Sequence, residues 1–216
     1  MAGCVLPRYV DPCSFEASPA SVPGDAILTF HPGSTMSVLS ASGFLAADQA
    51  DAYTTALLNL LGAEDPLVVL RETPDHLREA VRRLPPAQLD TPEAPGRWST
   101  RMVIAHLADS ELVGSFRFRM VLAHDRPPLQ PYDQDLWAGR LSYERADIEE
   151  ALERFTALRR SNVRLFERCA PSDLARAGLH AERGEESLDR MRRLYAGHDL
   201  AHRRQLARIR VAVTGT

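Results

Sequence analysis

Two histidines four residues apart, His198 and His202 in the segment YAGHDLAHRRQL from Tyr195 to Leu206, constrain this chain more than any other stretch. In a helix, positions i and i+4 differ by about 40° around the axis and about 6 Å along it, so both rings leave one face. With His198 as origin, Met191, Leu194, Tyr195, Leu206 and Ile209 share that face, whereas Arg192, Arg193, Arg203, Arg204 and Arg210 take the other. This is an amphipathic helix docked on a core, with its histidines turned inward. A buried imidazole must be hydrogen-bonded or coordinated. The pair therefore calls either for polar partners in the core or for a metal ion held with a third ligand from elsewhere, and HxxxH spacing alone does not choose between them.

The 216 residues are 44% hydrophobic and 25% charged, which suits one globular domain with some surplus chain. A net charge of -3 gives no reason to expect nucleic acid or an anionic membrane as partner. No apolar run approaches about twenty residues, so no bilayer-spanning helix is expected. The N-terminus lacks a basic region followed by an apolar one, so no secretory signal is expected either. Cys4, Cys13 and Cys169 are odd in number and fit no motif, which points to the reducing cytoplasm. All 26 basic residues are arginine. Without lysine, Schiff-base catalysis and a P-loop are both excluded.

Residues 1–42 are rich in Pro, Ser and Gly without periodicity and read as a flexible, disordered N-terminal extension, with Met36 as an alternative start and His31 exposed. Residues 43–62 carry an accessory helix, from Phe44 through Leu45, Tyr53, Leu57 and Leu60 to a stop at Gly62. Residues 63–213 form the main domain. Its first helix starts at Asp65-Pro66 and carries Leu67, Leu70, Leu77, Val81 and Leu84 to Pro85-Pro86, with Pro74 expected to kink it or mark its true start. Ser99 or Thr100 caps a second helix running to about His124, where Met102, Val103, Val113, Met120 and Val121 share one face. His106 sits in the middle of that face and is the candidate third ligand.

Asp109, three residues on, lies about 60° around the same helix and can hydrogen-bond a ligand, hold a water or act as a base; the plainer alternative is a surface acid. His124 reads as a C-terminal dipole partner. The connection Asp125 to Ala146 is long and carries Tyr132, Trp137 and Tyr143, so it reads as a crossover packed across one end of the bundle. The third helix runs from a cap at Asp147 to Pro171 with Ile148, Ala151, Leu152, Phe155, Leu158, Leu165, Phe166 and Cys169 on one stripe, where Cys169 is core filler. A short polar link with Gly178, His180 and Gly184 leads to a cap at Ser187 and the fourth helix. Arg82-Arg83, Arg159-Arg160 and Arg203-Arg204 read as solvated faces, and no strand alternation is visible. The expected fold is all-α: a four-helix bundle with one long crossover loop between helices 2 and 3. Three neutral imidazoles around a divalent ion would leave a position open for water or thiol, as catalytic rather than structural sites do.

QLDTP, GRWSTRMVIAHLADS, RPPLQPYDQDLWA and the terminal GHDLAH, in that order, closely resemble the YfiT-like branch of the DinB-like metalloproteins over roughly Asp65 to Arg210. The resemblance implies a four-helix bundle, usually a homodimer, whose metal ligands fall on His106, His198 and His202. It also implies a divalent ion, zinc or nickel first among the candidates. Members are described as metal-dependent hydrolases, and relatives use the metal to activate a low-molecular-weight thiol for transfer to an electrophile. GHDLAH departs from the run of several histidines usual in the last helix, which bears on the outer shell and the substrate.

Two enzymatic readings and one other follow. The first is a bacillithiol-type S-transferase, with a thiol cosubstrate activated at the ion and an electrophile pocket shaped by Tyr132, Asp133 and Trp137. The second is a metal-dependent hydrolase on the same three histidines, with Asp109 as base. The third is a non-catalytic metal-binding bundle. A zinc peptidase is disfavoured: Asp199 stands where HExxH has Glu, and at about 100° from His198 it is expected to be less buried than the histidines.

Overall fold

The computed structural model describes residues 47–215, so the readings for residues 1–42, for Cys4, Cys13 and His31, and for Phe44 and Leu45 lie outside the described residues. The elements in chain order are α1 (Ala47–Leu61), α2 (Pro66–Val81), α3 (Pro86–Leu89), α4 (Thr100–Ala123), β1 (Pro128–Leu129), α5 (Gln134–Arg140), a 3-10 turn (Tyr143–Arg145), α6 (Ile148–Glu167), α7 (Pro171–Leu174), β2 (Ala177–His180), β3 (Gly184–Ser187) and α8 (Leu188–Thr214). The long helices α2, α4, α6 and α8 make a four-helix bundle, with the crossover between α4 and α6.

Each of these four helices begins at a side-chain cap. Asp65 accepts from the Leu67 amide at 2.8 Å, Ser99 from Met102 at 3.4 Å, Asp147 from Glu150 at 3.0 Å and Ser187 from Arg190 at 3.1 Å. Such caps satisfy backbone donors that the first turn leaves without partners. Apolar stripes then close the core: Phe118, Val121, Val163, Phe166, Met191 and Tyr195 pack in one cluster, and Leu77, Val103, Ile104, Leu152, Phe155, Leu206 and Ile209 in another. Cys169 packs half-buried at the edge of the first. Helix α1 lies against α8, where a Cβ built on Gly197 would come within 2.3 Å of the Leu57 carbonyl oxygen. Only glycine permits so close a backbone approach.

Pro74 does not mark a helix start, because α2 runs through it from Pro66. A proline supplies no N–H to the carbonyl four residues earlier. That carbonyl, Leu70 O, instead accepts from Arg159 Nη1 at 3.1 Å. The cost of an interior proline is thus offset by a side chain from a neighbouring helix.

The expectation of no strands is corrected. Among the described residues a small sheet of order β1-β2-β3 forms, with Pro128 and Leu129 parallel to Leu179 and His180, and β2 antiparallel to β3. Strands of two and four residues are too short for a period of two to declare itself in sequence. The segment read as a polar link is therefore a hairpin, and His180 within it is buried. No described helix is long and apolar enough to cross a membrane.

Candidate metal centre

His106 from α4 meets His198 and His202 from α8 in the interior, at exposures of 0%, 1% and 5%. His106 Nε2 lies 3.2 Å from His198 Nε2, which lies 3.0 Å from His202 Nε2. The ring centroids stand 4.4 to 5.3 Å apart. His202 Nδ1 faces Gln205 Oε1 at 2.8 Å, so this nitrogen carries the proton and the Nε2 lone pair points to the centre. His198 Nε2 then meets two ring nitrogens and can donate to only one. A divalent cation satisfies all three lone pairs together, and nitrogens held at about 2.0–2.1 Å from one ion stand roughly 3 Å apart, as these do. The donor set fits the ion.

Burial holds His106 and His198 well below the usual imidazole pKa, with the neighbouring histidines adding to it. Burial also brings His202 down to about 4, against the opposing Gln205 hydrogen bond. All three are neutral near pH 7, the state that coordinates.

Arg159 is not solvated, in contrast to the sequence reading. It is 2% exposed and lies between two carboxylates, donating to Glu111 at 2.8 and 3.0 Å and to both oxygens of Asp199. Asn162 completes the shell on Glu111 at 2.7 Å. Asp199, expected to be less buried than the histidines, is 1% exposed, because both its oxygens are hydrogen-bonded by Arg159 rather than by water. Glu111 stands five residues from His106 and Asp199 directly after His198, so one guanidinium ties α4, α6 and α8 together beside the tripod.

Asp109 accepts from Tyr143 Oη at 2.8 Å and from Arg154 at 2.9 Å, which engages both carboxylate oxygens. Together these three line a 260 Å³ cavity with Ala105 and Leu141. Among the described residues Asp109 makes no hydrogen bond to the histidines. Trp98 connects the two places: its ring lies 5.1 Å from His106 and 6.3 Å from Tyr143. Sequence reasoning missed Trp98, although a large apolar residue immediately before an N-cap is the staple position of a helix start. Gln205 was also missed, three residues after His202.

Of the crossover residues, Tyr132 and Trp137 stack at 4.6 Å, and Trp137 packs with Trp98 and Met102 against Ala105 and Tyr143. The crossover thus covers the residue next to His106. Asp133 caps α5, accepting from the Leu136 amide at 2.9 Å. His124 is the exposed C-cap of α4.

A four-helix bundle that gathers three buried imidazoles from facing helices defines a helical protein of the metal-binding class. The sequence profile described as the DinB superfamily matches residues 70–206, and the chain belongs to that superfamily. It is 30% identical over 141 residues to a protein of Bacillus mycoides named "Putative metal-dependent hydrolase", covering 65% of this chain and 81% of the relative. A protein of the same description from Oceanobacillus iheyensis is 32% identical over 133 residues, covering 62% of this chain and 77% of its own. The solved structure of YfiT from Bacillus subtilis, described as "a probable metal-dependent hydrolase with an unusual four-helix bundle topology", matches with a TM-score of 0.64 and 28% identity over 67% of this chain and 83% of that one.

Proposed function

We propose that this protein is a metal-dependent hydrolase in which His106, His198 and His202 hold one divalent ion, zinc or nickel, against a small-molecule substrate. The observation that carries the reading is the convergence of three Nε2 atoms, two contacts at 3.0 and 3.2 Å, with Gln205 fixing the tautomer of His202. Bound there, such an ion supplies Lewis acidity, which polarises a carbonyl or phosphoryl group and makes water a better nucleophile near neutral pH.

The chain's own residues do the rest. Gln205 orients His202, and the Arg159 network fixes the heights of α4 and α8 so that the imidazoles meet. Tyr132 and Trp137 form an apolar wall that holds substrate and excludes bulk water, and Asp133 keeps the turn that presents Trp137. Asp109, with both oxygens engaged, acts as a positioning residue that anchors Tyr143 beneath Trp98, rather than as the base. The homodimer and cytoplasmic location implied by the family resemblance belong to the same reading. Thiol transfer would use the same three histidines with a thiolate in place of water, and it is the competing arm of the test.

The test is metal content of untagged protein, wild type beside His202→Ala, followed by assays of ester and amide hydrolysis and of thiol transfer to a haloarene. About one ion per chain, lost in the variant together with hydrolysis, is the expected result. Thiol-dependent turnover without hydrolysis would replace this reading with the transferase, and a folded wild type that refuses added Zn²⁺ and Ni²⁺ would end both.

A further inference from the structure

The outer faces of α4 and α6 carry apolar surface that none of the core clusters takes up. Phe116 is 66% exposed and Leu112, one turn before it, 48% exposed. On α6, Arg154 and Ser161 reach Asp109 and Arg119 of α4. Ala157 and Leu158, between those two anchors, therefore stand beside Leu112 and Phe116. Ala157 is exposed and Leu158 half-buried, and neither belongs to the clusters that close the bundle. Single apolar residues at a surface are ordinary, whereas a run of them across two packed helices marks a contact. The other large apolar side chains exposed among the described residues stand one to a segment, from Val68 on α2 to Val211 on α8.

The charges bordering this surface are placed with opposite signs at its two ends. Helices α4 and α6 run parallel: Asp109 meets Arg154, Ser115 meets Asn162 and Arg119 meets Asn162, at separations of 45, 47 and 43 residues. A given height on α4 therefore recurs about 45 residues later on α6, and the midpoint of Leu112 and Phe116 falls level with Arg159. That level is also the midpoint of Glu150 and Arg168, both exposed. Their separation of 18 residues makes five turns, so the two leave α6 in one direction, about 20° from Ala157. Glu153 and Arg164 repeat the same order closer in. Among the described residues Arg164 and Arg168 form no ion pair, and Glu150 makes only a 3.8 Å one with Arg154. Each sign suits its own end of the helix dipole, which accounts for the residue types but not for their shared direction.

We infer that this face is the contact between two copies of the chain, related by a two-fold axis that lies in the contact and crosses α4 and α6 at right angles, level with Arg159. Such an axis reverses both helices, so α4 packs on α4 and α6 on α6 of the second copy, and one patch serves both sides. Leu112 of each copy meets Phe116 of the other, and Glu150 of each meets Arg168 of the other. An axis along the helices would instead bring acid to acid and arginine to arginine, which is repulsive. The size is adequate. The 20 residues of α6 span about 30 Å, and two packed helices are about 20 Å wide, a face of roughly 600 Å² in projection against about 800 Å² of accessible surface per partner in a standard interface. The assignment rests on the homodimer of the reading above and gives it a surface. His106, about 120° around α4 from Leu112, points into the bundle, so the metal centre stays outside the contact.

The test is sedimentation equilibrium of the full-length protein over a range of concentrations, with circular dichroism and metal content measured on the same samples. The wild type should be a dimer. Phe116→Glu should be a monomer that keeps the helical signal and the bound ion of the wild type. Glu150→Arg and Arg168→Glu should each weaken the dimer about 10-fold, and the double variant should regain most of that loss, because the pairs re-form with reversed sign. Should Phe116→Glu fail to fold, the charge exchange at two exposed positions decides the matter alone. A monomeric wild type would leave the face to some other partner and overturn the assignment, as would a dimer indifferent to Phe116→Glu or a double variant no tighter than the single ones. A monomer that binds its ion would sink this contact and spare the hydrolase, whereas a dimer that refuses the ion would do the reverse.

Discussion

Arg159 Nη1 donates to Leu70 O at 3.1 Å, the acceptor that Pro74 leaves without its helical donor. The same guanidinium bridges Glu111 and Asp199. Arg159→Leu removes all three services and leaves two carboxylates buried without a cation. Breaking such a network costs about 3–5 kcal/mol. Urea unfolding should show a midpoint lowered accordingly, and Arg159→Lys should recover only part, since an ammonium cannot span both carboxylates and the carbonyl.

Gln205 holds the tautomer of His202 and, among the described residues, is hydrogen-bonded to no other histidine. Gln205→Leu should leave the fold intact and reduce metal affinity by about 10–100-fold, the usual effect of removing an outer hydrogen bond from a ligating imidazole. Competition with a chelating dye measures it. Unchanged affinity would mean that the hydrogen bond plays no part in coordination.

Gly197→Ala places a methyl group 2.3 Å from the Leu57 carbonyl oxygen, where only backbone can move aside. Helix α1 should lift away from α8. Limited proteolysis should cut within residues 47–61 in the variant and spare them in the wild type, with a loss of about 1–3 kcal/mol from the misfit.

His202 titrates near 4 and His180 near 3 in the folded, metal-free chain, against about 6.5 unfolded. Their folded pKa values are lowered, so the unfolded state binds more protons between these limits. Stability is fully present above about pH 6.5 and declines as the pH falls toward 4 and 3. Thermal melts of the chelated protein should show Tm falling through that window, with a smaller fall in His180→Phe, which has one fewer buried imidazole to protonate.

The helices were legible because they are local. Asp65, Ser99, Asp147 and Ser187 announce themselves by residue type and position, and the apolar stripe of α8 is enough to turn His198 and His202 inward. Arg159 was not legible, since its partners lie 48 and 40 residues away and nothing local distinguishes it from Arg160, which is exposed. Asp199 was misread for the same reason. The hairpin around His180 escaped because its four-residue strands draw their definition from pairing with each other and with Leu129.

His106 and His198 touch across 92 residues of chain, while His198 and His202 are separated by a single helical turn. The three-coordinate site therefore arises only after the longest loop of the bundle has closed and α4 has docked on α8 in register. Of these three ligands, a chain in which α8 has formed but α4 has not docked brings only His198 and His202 together. An ion binding all three discriminates between the native topology and its competitors, and adds RT ln(1 + [M]/Kd) to the former alone. Metal supply would then set how much of the newly made protein survives proteolysis, independently of any reaction the ion goes on to assist.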